Sequence, residues 1–490
     1  MQKGRGGPTA IETKLGWVLS GPVPSFPQSV DTTVNLCSSH VLKVDTQSSV
    51  ADSNEIIERE LKKFWDVETL GIRDTEPSLY EQFLKQITFK DSRYCVRLPW
   101  KEPHPMLPDN YNLCQTRLSG LLRRLKQNPS LLREYDAVIR DQLAKGIVEV
   151  VNSDLSPKTD IHYIPHHAVV REDKLTTKLR IVYDASARMN GPSLNDCLYA
   201  GPTFGQKILD ILIRFRVHNV ALVADIEKAF LMISVDEKDR DALRFLWVDS
   251  IDSEIPRKQV LRFARVVFGV SSSPFLLNAT IKYHMDKYRH TDESFVDKFL
   301  RSIYVDDVSF GANTVEAGFE LYLKSKGYLR EGGFNLRKFV SNDPVLQQRI
   351  DEQEHENSNR ITSENSLVIV AENESYTKNV FGHGSSEGSN SLKVLGVQWN
   401  YKEDKIICDI EHICKLARDL EPTKRNVVGL ATRFYDPFGL LSPVTVQFKI
   451  LFQELCAHKL SWDERLTGEL FIKWKELLKG FQQTQPLSIP

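Results

Sequence analysis

The chain has 490 residues, a formal net charge of −1, 41% hydrophobic and 26% charged residues. That balance predicts two to four structural units with a substantial core, and it argues against a polycationic coat for nucleic acid, leaving room only for a local basic cleft. No apolar run approaches the ~18 residues of a membrane span, and the N-terminus lacks a signal-peptide core, so no membrane partner is expected.

In chain order, the first ten residues, rich in Gly and Lys/Arg, read as disordered, and residues 24–54 read as a linker rich in Ser, Thr, Asp and Val. Helical patterning starts near Glu55 and passes Leu61 and Phe64-Trp65. Leu118, Leu121, Leu122 and Leu125 recur at i, i+3, i+4 and i+7, an amphipathic helix that also carries Arg117, Arg123, Arg124 and Lys126. These cations are either a solvated face or the flank of a phosphate track. Residues 131–149 predict a helix closed by Gly146, then a strand Ile147-Val148-Glu149-Val150-Val151. Strands are expected within 160–185, helices over 203–218, 274–290 and 314–331, and a long polar insertion over 343–390. Residues 402–490 read as largely helical. The alternation of strands and helices, with antiparallel pieces, predicts an α+β fold.

The seven cysteines are scattered without a Cys-x-x-Cys pair, which favours reduced thiols. His162, His166 and His167 invite a zinc reading, but no second ligand cluster stands at metal spacing.

The chemistry concentrates in two places. Tyr304-Val305-Asp306-Asp307 sets two carboxylates between apolar runs, where strand alternation would bury one of them. About eighty residues upstream, the apolar run Val220–Ala224 ends in Asp225. Two strands delivering carboxylates to one point are the minimum for a two-metal site, with ions ~3.5–4 Å apart on either side of an in-line displacement.

Asp225 in an Asp-x-x-x-Ala-Phe setting and the Tyr-Val-Asp-Asp run resemble the two metal-binding palm motifs of reverse transcriptases. The resemblance narrows to BEL/Pao-type LTR retrotransposon Pol polyproteins through Tyr163–His167, Lys178–Ser186, Phe268–Phe275, Asn335–Phe339, Leu395–Trp399 and Tyr435–Pro443, in that family's order. It implies a right-hand polymerase fold: fingers and palm over 151–342 after a helical extension over 55–150, a primer-grip-like hairpin over 391–401, and thumb or connection helices (an A17-type segment) over 402–490, cut before RNase H. Thr13–Gly21 resembles the closing strand of the preceding retropepsin-like protease, so residues 1–23 read as its remnant. No Asp-Thr-Gly or Asp-Ser-Gly precedes it, which counts against a peptidase.

The resemblance also implies roles. Asp225, Asp306 and Asp307 would be catalytic and bind two Mg²⁺, with Mn²⁺ as substitute, Asp307 as the supporting ligand and the Ile226 carbonyl as an extra one. Arg180 and Lys178 would meet the dNTP triphosphate, although Lys178 equally fits an exposed strand lysine. Phe230 would exclude a 2′-hydroxyl, or else simply end the strand in the core. Gly269 would let the backbone approach nucleotide or template, while Phe268 replaces a Gln of the retroviral pattern. Ser273-Pro274 would cap and start a helix. Lys338 would protonate pyrophosphate, or form a solvated pair with Arg337. Gly396 and Trp399 would belong to the primer grip. The implied partners are an RNA or DNA template with primer, dNTPs, and the RNase H and integrase segments of a polyprotein. The implied location is a cytoplasmic virus-like particle, with the nucleus second. The rival reading is an inactive or co-opted element fragment that binds nucleic acid or protein.

Overall fold

The computed structural model describes residues 2–3, 9–13, 16–20, 75–103, 106–151, 161–170, 179–253, 256–361, 391–408, 410–482 and 487–489. They fall into two units, 1–74 and 75–490. The expected linker, the helical patterning from Glu55 to Trp65, and Lys178 lie outside the described residues.

In the first unit, strands Gln2–Lys3, Thr9–Thr13 and Gly16–Ser20 form an antiparallel meander, with Ile11 opposite Val18 and Glu12 opposite Trp17. Within the first ten residues, expected to be disordered, residues 2–3 and 9–10 thus belong to strands.

The second unit is a mixed α+β assembly, the class expected from the sequence. Its helices follow local signals. The helix Pro129–Ala144 begins with Pro after Asn128, whose side chain accepts from the Leu131 N–H, and Gly146 follows at φ +61°. The helix Ser273–Asp286 also has Pro in its first turn, but Ser273 does not cap it. Its hydroxyl instead donates to the Val267 carbonyl at 2.6 Å, tying the helix start to the preceding turn.

The polar insertion was expected to begin at 343. Instead, Pro344–Ile361 is a helix. The Asp343 carboxylate accepts from the Leu346 N–H, and Leu346 and Ile350, one turn apart, are buried in the main core. Two apolar residues at i, i+4 behind an Asp-Pro start suffice to dock a segment whose composition is otherwise polar. Residues 362–390 lie outside the described residues.

The central sheet has strand order Ile303–Tyr304, Asp307–Ala312, Val220–Ile226, Leu336–Ser341, all antiparallel. One of its faces (Leu222, Ala224, Ile226, Val308, Phe310) joins the main core. On the opposite face, Ala221 and Val223 pack with helix Ile208–Arg216 and the hairpin strands Ser391–Val394 and Val397–Asn400. Asp225 continues that second face past the covered end.

His166, raised as a zinc ligand, is fully engaged in the core. Its Nδ1 accepts from the Tyr135 hydroxyl at 2.5 Å and its Nε2–H donates to the Leu246 carbonyl at 2.9 Å. Burial lowers its pKa to about 4. His162 and His284 are also pushed down, mainly by burial. A depressed histidine pKa means the unfolded chain binds the extra proton, so stability is complete above the unfolded value and declines as pH falls toward the folded one. For His166 alone, unfolding free energy is expected to drop by about 2 kcal/mol between about pH 7 and about pH 5. Urea melts across that range check this. A flat profile, or one that His166→Gln leaves equally steep, would contradict it.

Candidate active site

The two sequence motifs meet at one end of the central sheet. Asp307 pairs directly with Asp225, and Tyr304 pairs with Asp307 across a two-residue turn made of Val305 and Asp306. Cross-strand partners bring their Cβ atoms to about 5 Å, a separation at which like charges repel. The Ile226 N–H donates to the Asp306 carbonyl at 2.8 Å, which stitches the turn to the residue after Asp225. The three carboxylates therefore occupy two adjacent rungs.

The turn is strained. Val305 has φ +56°, a region that a β-branched residue scarcely visits. The first position of such a turn normally takes Gly. Val305 is held there because its side chain is buried in the main core. Strain maintained by surrounding packing is a mark of functional sites.

On the other side of Asp225, the strand Leu336–Ser341 presents Arg337, whose Nε lies 3.4 Å from Asp225 Oδ2 and whose Nη1 lies 3.4 Å from Glu227 Oε1. Asp307, Asp225 and Arg337 form one row across three strands. Immediately after Arg337 the register shifts: Ala224 faces both Lys338 and Phe339, and Lys338 adopts φ +55°. A bulge re-aims a side chain. Here Lys338, Asp225 and Asp307 line one cleft of about 180 Å³, together with Ser309, Lys393 and Leu395. Arg337 as a partner of Asp225 and Lys393 at the rim were missed from the sequence. Arg337 stands beside Lys338, which was singled out, but only strand pairing reveals that it faces Asp225.

Asp306 is 4% exposed and is not a lining residue of that cleft. The expected order, Asp306 as direct ligand and Asp307 as support, differs from the register, which makes Asp307 the immediate neighbour of Asp225. Among the described residues, no group of three or more His, Cys, Asp or Glu side chains is arranged to hold a metal ion. A pair of hard carboxylate oxygens still suits Mg²⁺, which keeps waters and takes only one or two carboxylates alongside substrate phosphates. Ile226 has its side chain buried in the main core below this point.

The other expected site residues sit in supporting positions. Arg180 lies half-buried in a separate two-stranded sheet, opposite Val169. Phe230 is 2% exposed in the turn Ala229–Met232, its ring edge-on to Phe268 at 4.5 Å. The ring offers little open surface, and Phe268 occupies the space beside it. Gly269, at φ +96°, is exposed, but its constraint comes from the protein itself: a Cβ there would stand 2.2 Å from the Tyr183 carbonyl oxygen.

Trp399, expected near a primer end, is 1% exposed and packs edge-on against Phe215, with its indole N–H donating to Asp404. It supports the hairpin from beneath. The hairpin turn, Leu395-Gly396, has φ of +48° and +87°. Gly396 makes room for the Tyr435 ring, 2.7 Å from where a Cβ would be, and the Tyr435 hydroxyl donates to the Leu395 carbonyl at 2.7 Å. The Tyr435–Pro443 run thus anchors the hairpin whose Lys393 and Leu395 line the cleft.

Residues 423–490 match the family described as Pao retrotransposon-like RNaseH-like domain. The sequence reading expected thumb or connection helices there and no RNase H segment, whereas the matching family model is described as RNaseH-like. The match spans helices Lys424–Ala431, Ser442–Ala457 and Gly468–Gln482, which share their own hydrophobic core. No curated protein matches the chain. Among solved structures, a foamy viral protease-reverse transcriptase dRH in complex with double-stranded DNA is similar at TM-score 0.44 and 14% identity, covering 97% of this chain and 68% of that one. The foamy viral protease-reverse transcriptase in complex with an RNA/DNA hybrid is similar at TM-score 0.42 and 14% identity, covering 91% and 48%. A prototype foamy virus protease-reverse transcriptase CSH mutant gives TM-score 0.33 and 15% identity over 62% and 34%. The chain thus spans about half of the second structure and a third of the third. The chain is similar to the Pao retrotransposon-like RNaseH-like domain family over residues 423–490.

Proposed function

We propose that this chain is the reverse-transcriptase part of a BEL/Pao-type retroelement Pol protein, with a right-hand polymerase arrangement, and that it extends a primer by nucleotidyl transfer from dNTPs. The observation that carries the reading is the pairing of Asp225 with Asp307 at a strained turn, with Lys338 and Lys393 at the same cleft. Carboxylates and ammonium groups around one opening match a ligand that brings both divalent cations and phosphates.

In this reading Asp225, Asp306 and Asp307 would hold Mg²⁺, which would supply charge neutralisation for nucleotidyl transfer. Lys338, re-aimed by its bulge, faces the departing pyrophosphate. Arg337 lies 3.4 Å from the Asp225 carboxylate and lowers the repulsion between the paired carboxylates. Arg180 is assigned to the triphosphate and the hairpin 391–400 to the primer end. Residues 423–490 brace that hairpin through Tyr435. Within this segment Asp463 pairs with Arg425, Glu454 with Lys473, and Asp436 accepts from the Leu440 and Leu441 N–H groups. These carboxylates have structural partners, which favours bracing over a second catalytic centre.

Primer extension on an RNA template tests the proposal. Synthesis is expected with Mg²⁺ or Mn²⁺, none with a chelator present, and recovery when excess Mg²⁺ is returned. Absence of extension by a folded protein that binds primer–template would turn the reading to a binding-only fragment.

A further inference from the structure

Strands Thr88–Lys90, Arg93–Val96 and Ser234–Val235 form a second sheet, extended by a bridge from Ser234 to Arg265. Its register aligns Thr88, Cys95, Ser234 and Arg265 in one row. Paired residues share a face, and residues two apart on a strand share it too. Lys90 and Arg93, themselves a cross-strand pair, therefore lie on the same face. The opposite face carries Tyr94 and Val96, both buried in the core. One side of this sheet is apolar, and the other carries three cations and two hydroxyls.

Among the described residues, Lys90, Arg93 and Arg265 form no ion pair with any carboxylate. Arg93 donates to the Met232 carbonyl at 2.9 Å, and Arg265 donates to the Ser234 hydroxyl. The nearby Arg240 is neutralised by Glu149, which also holds Arg262. Asp236, a further carboxylate near Cys95, accepts from the Lys238 N–H. Burial, reinforced by Arg93 and Arg240, brings the Arg265 pKa down to about 10, so the cluster is an electrostatically costly arrangement without an anion. A chain of net charge −1 has no general surplus of cations to leave here.

We propose that the face formed by Lys90, Arg93 and Arg265, with the hydroxyls of Ser234 and Thr88, binds the phosphodiester backbone of a nucleic acid, on a different sheet from the carboxylate site. Arginine forks and hydroxyls are suitable donors for phosphate oxygens. The spread of the donors selects a polymer over a free ion. From the Lys90 strand to Arg265 there are three inter-strand steps of about 4.8 Å, roughly 14 Å in all, too wide for one phosphate and suited to successive ones. The proposal rests on the polymerase reading only for the nature of the polymer.

The test is binding of a labelled RNA–DNA hybrid by the full chain, without metal or dNTP, across a range of NaCl concentrations. Lys90→Gln and Arg265→Gln are each expected to weaken binding about fivefold at low salt and to reduce the salt-dependence slope by about one. Arg265→Lys should restore most of the slope. Lys90 is exposed, so Lys90→Gln gives an answer even if an Arg265 variant melts early. Unchanged affinity and slope in folded variants overturn the proposal. So does loss of inorganic phosphate binding with hybrid binding intact, which would make the ligand a free anion, or loss of binding to an acidic peptide alone. Patch-dependent hybrid binding without primer extension would count against the polymerase reading and leave this inference standing.

Discussion

Asp306→Asn is expected to fold, to bind primer–template as the wild type does, and to lose DNA synthesis by about a thousandfold or more. The substitution keeps the side chain's shape and leaves the backbone bond from the Ile226 N–H to the residue 306 carbonyl in place. It also removes one negative charge beside the Asp225–Asp307 pair, so the metal-free protein should melt no lower than wild type, within about 1 kcal/mol. Transfer of a nucleotidyl group depends on positioning and charge neutralisation, and an amide cannot supply an anionic metal ligand. Retained synthesis would move the chemistry to Asp225 and Asp307, the pair that the register places side by side. Unfolding would make Asp306 a structural residue of the turn. Asp307→Asn assayed in parallel separates the two assignments: a loss as deep as that of Asp306→Asn would end its role as the lesser ligand.

Much of this site was legible because strands advertise themselves locally. The apolar run before Asp225 and the apolar flanks of Asp306-Asp307 fix two strands, and a carboxylate at each end leaves few places for them to meet. Their exact pairing was not legible. Register depends on the turn, and here the turn contains a Val at φ +56° where sequence rules would look for Gly or Asn. The same limit hid Arg337, whose relation to Asp225 exists only across the sheet. Trp399 shows the opposite error. A motif match places a residue in sequence but cannot say which face of its strand is buried, and this Trp points to Phe215. Residues 344–361 were lost to composition: many polar residues outweighed the one-turn spacing of Leu346 and Ile350, although two anchors dock the helix.

Gly269→Ala should be among the most destabilising single-methyl changes in the chain, at about 3 kcal/mol or more. Two costs combine. At φ +96° any L side chain is strained, and the new Cβ would stand 2.2 Å from the Tyr183 carbonyl oxygen, a backbone atom that cannot rotate away. Gly146 isolates the first cost. It too has positive φ, +61°, but nothing lies within 4 Å of its would-be Cβ, so Gly146→Ala should lose only about 1 kcal/mol. The difference between the two variants in denaturant midpoint measures the contact. That contact joins two parts of the molecule. Asn195 donates to the Gly269 carbonyl at 3.0 Å and accepts from the Ser271 N–H at 2.8 Å, while Tyr183 ends the strand that carries Arg180. The same turn sets Phe268 against Phe230. Pushing Tyr183 and Gly269 apart should therefore also shift the aromatic pair, and primer extension by Gly269→Ala should show a raised KM for dNTP at temperatures where the variant is still folded. Equal losses of stability for the two glycine variants would mean that the strand end yields freely, and that Gly269 is required for its dihedral angle alone.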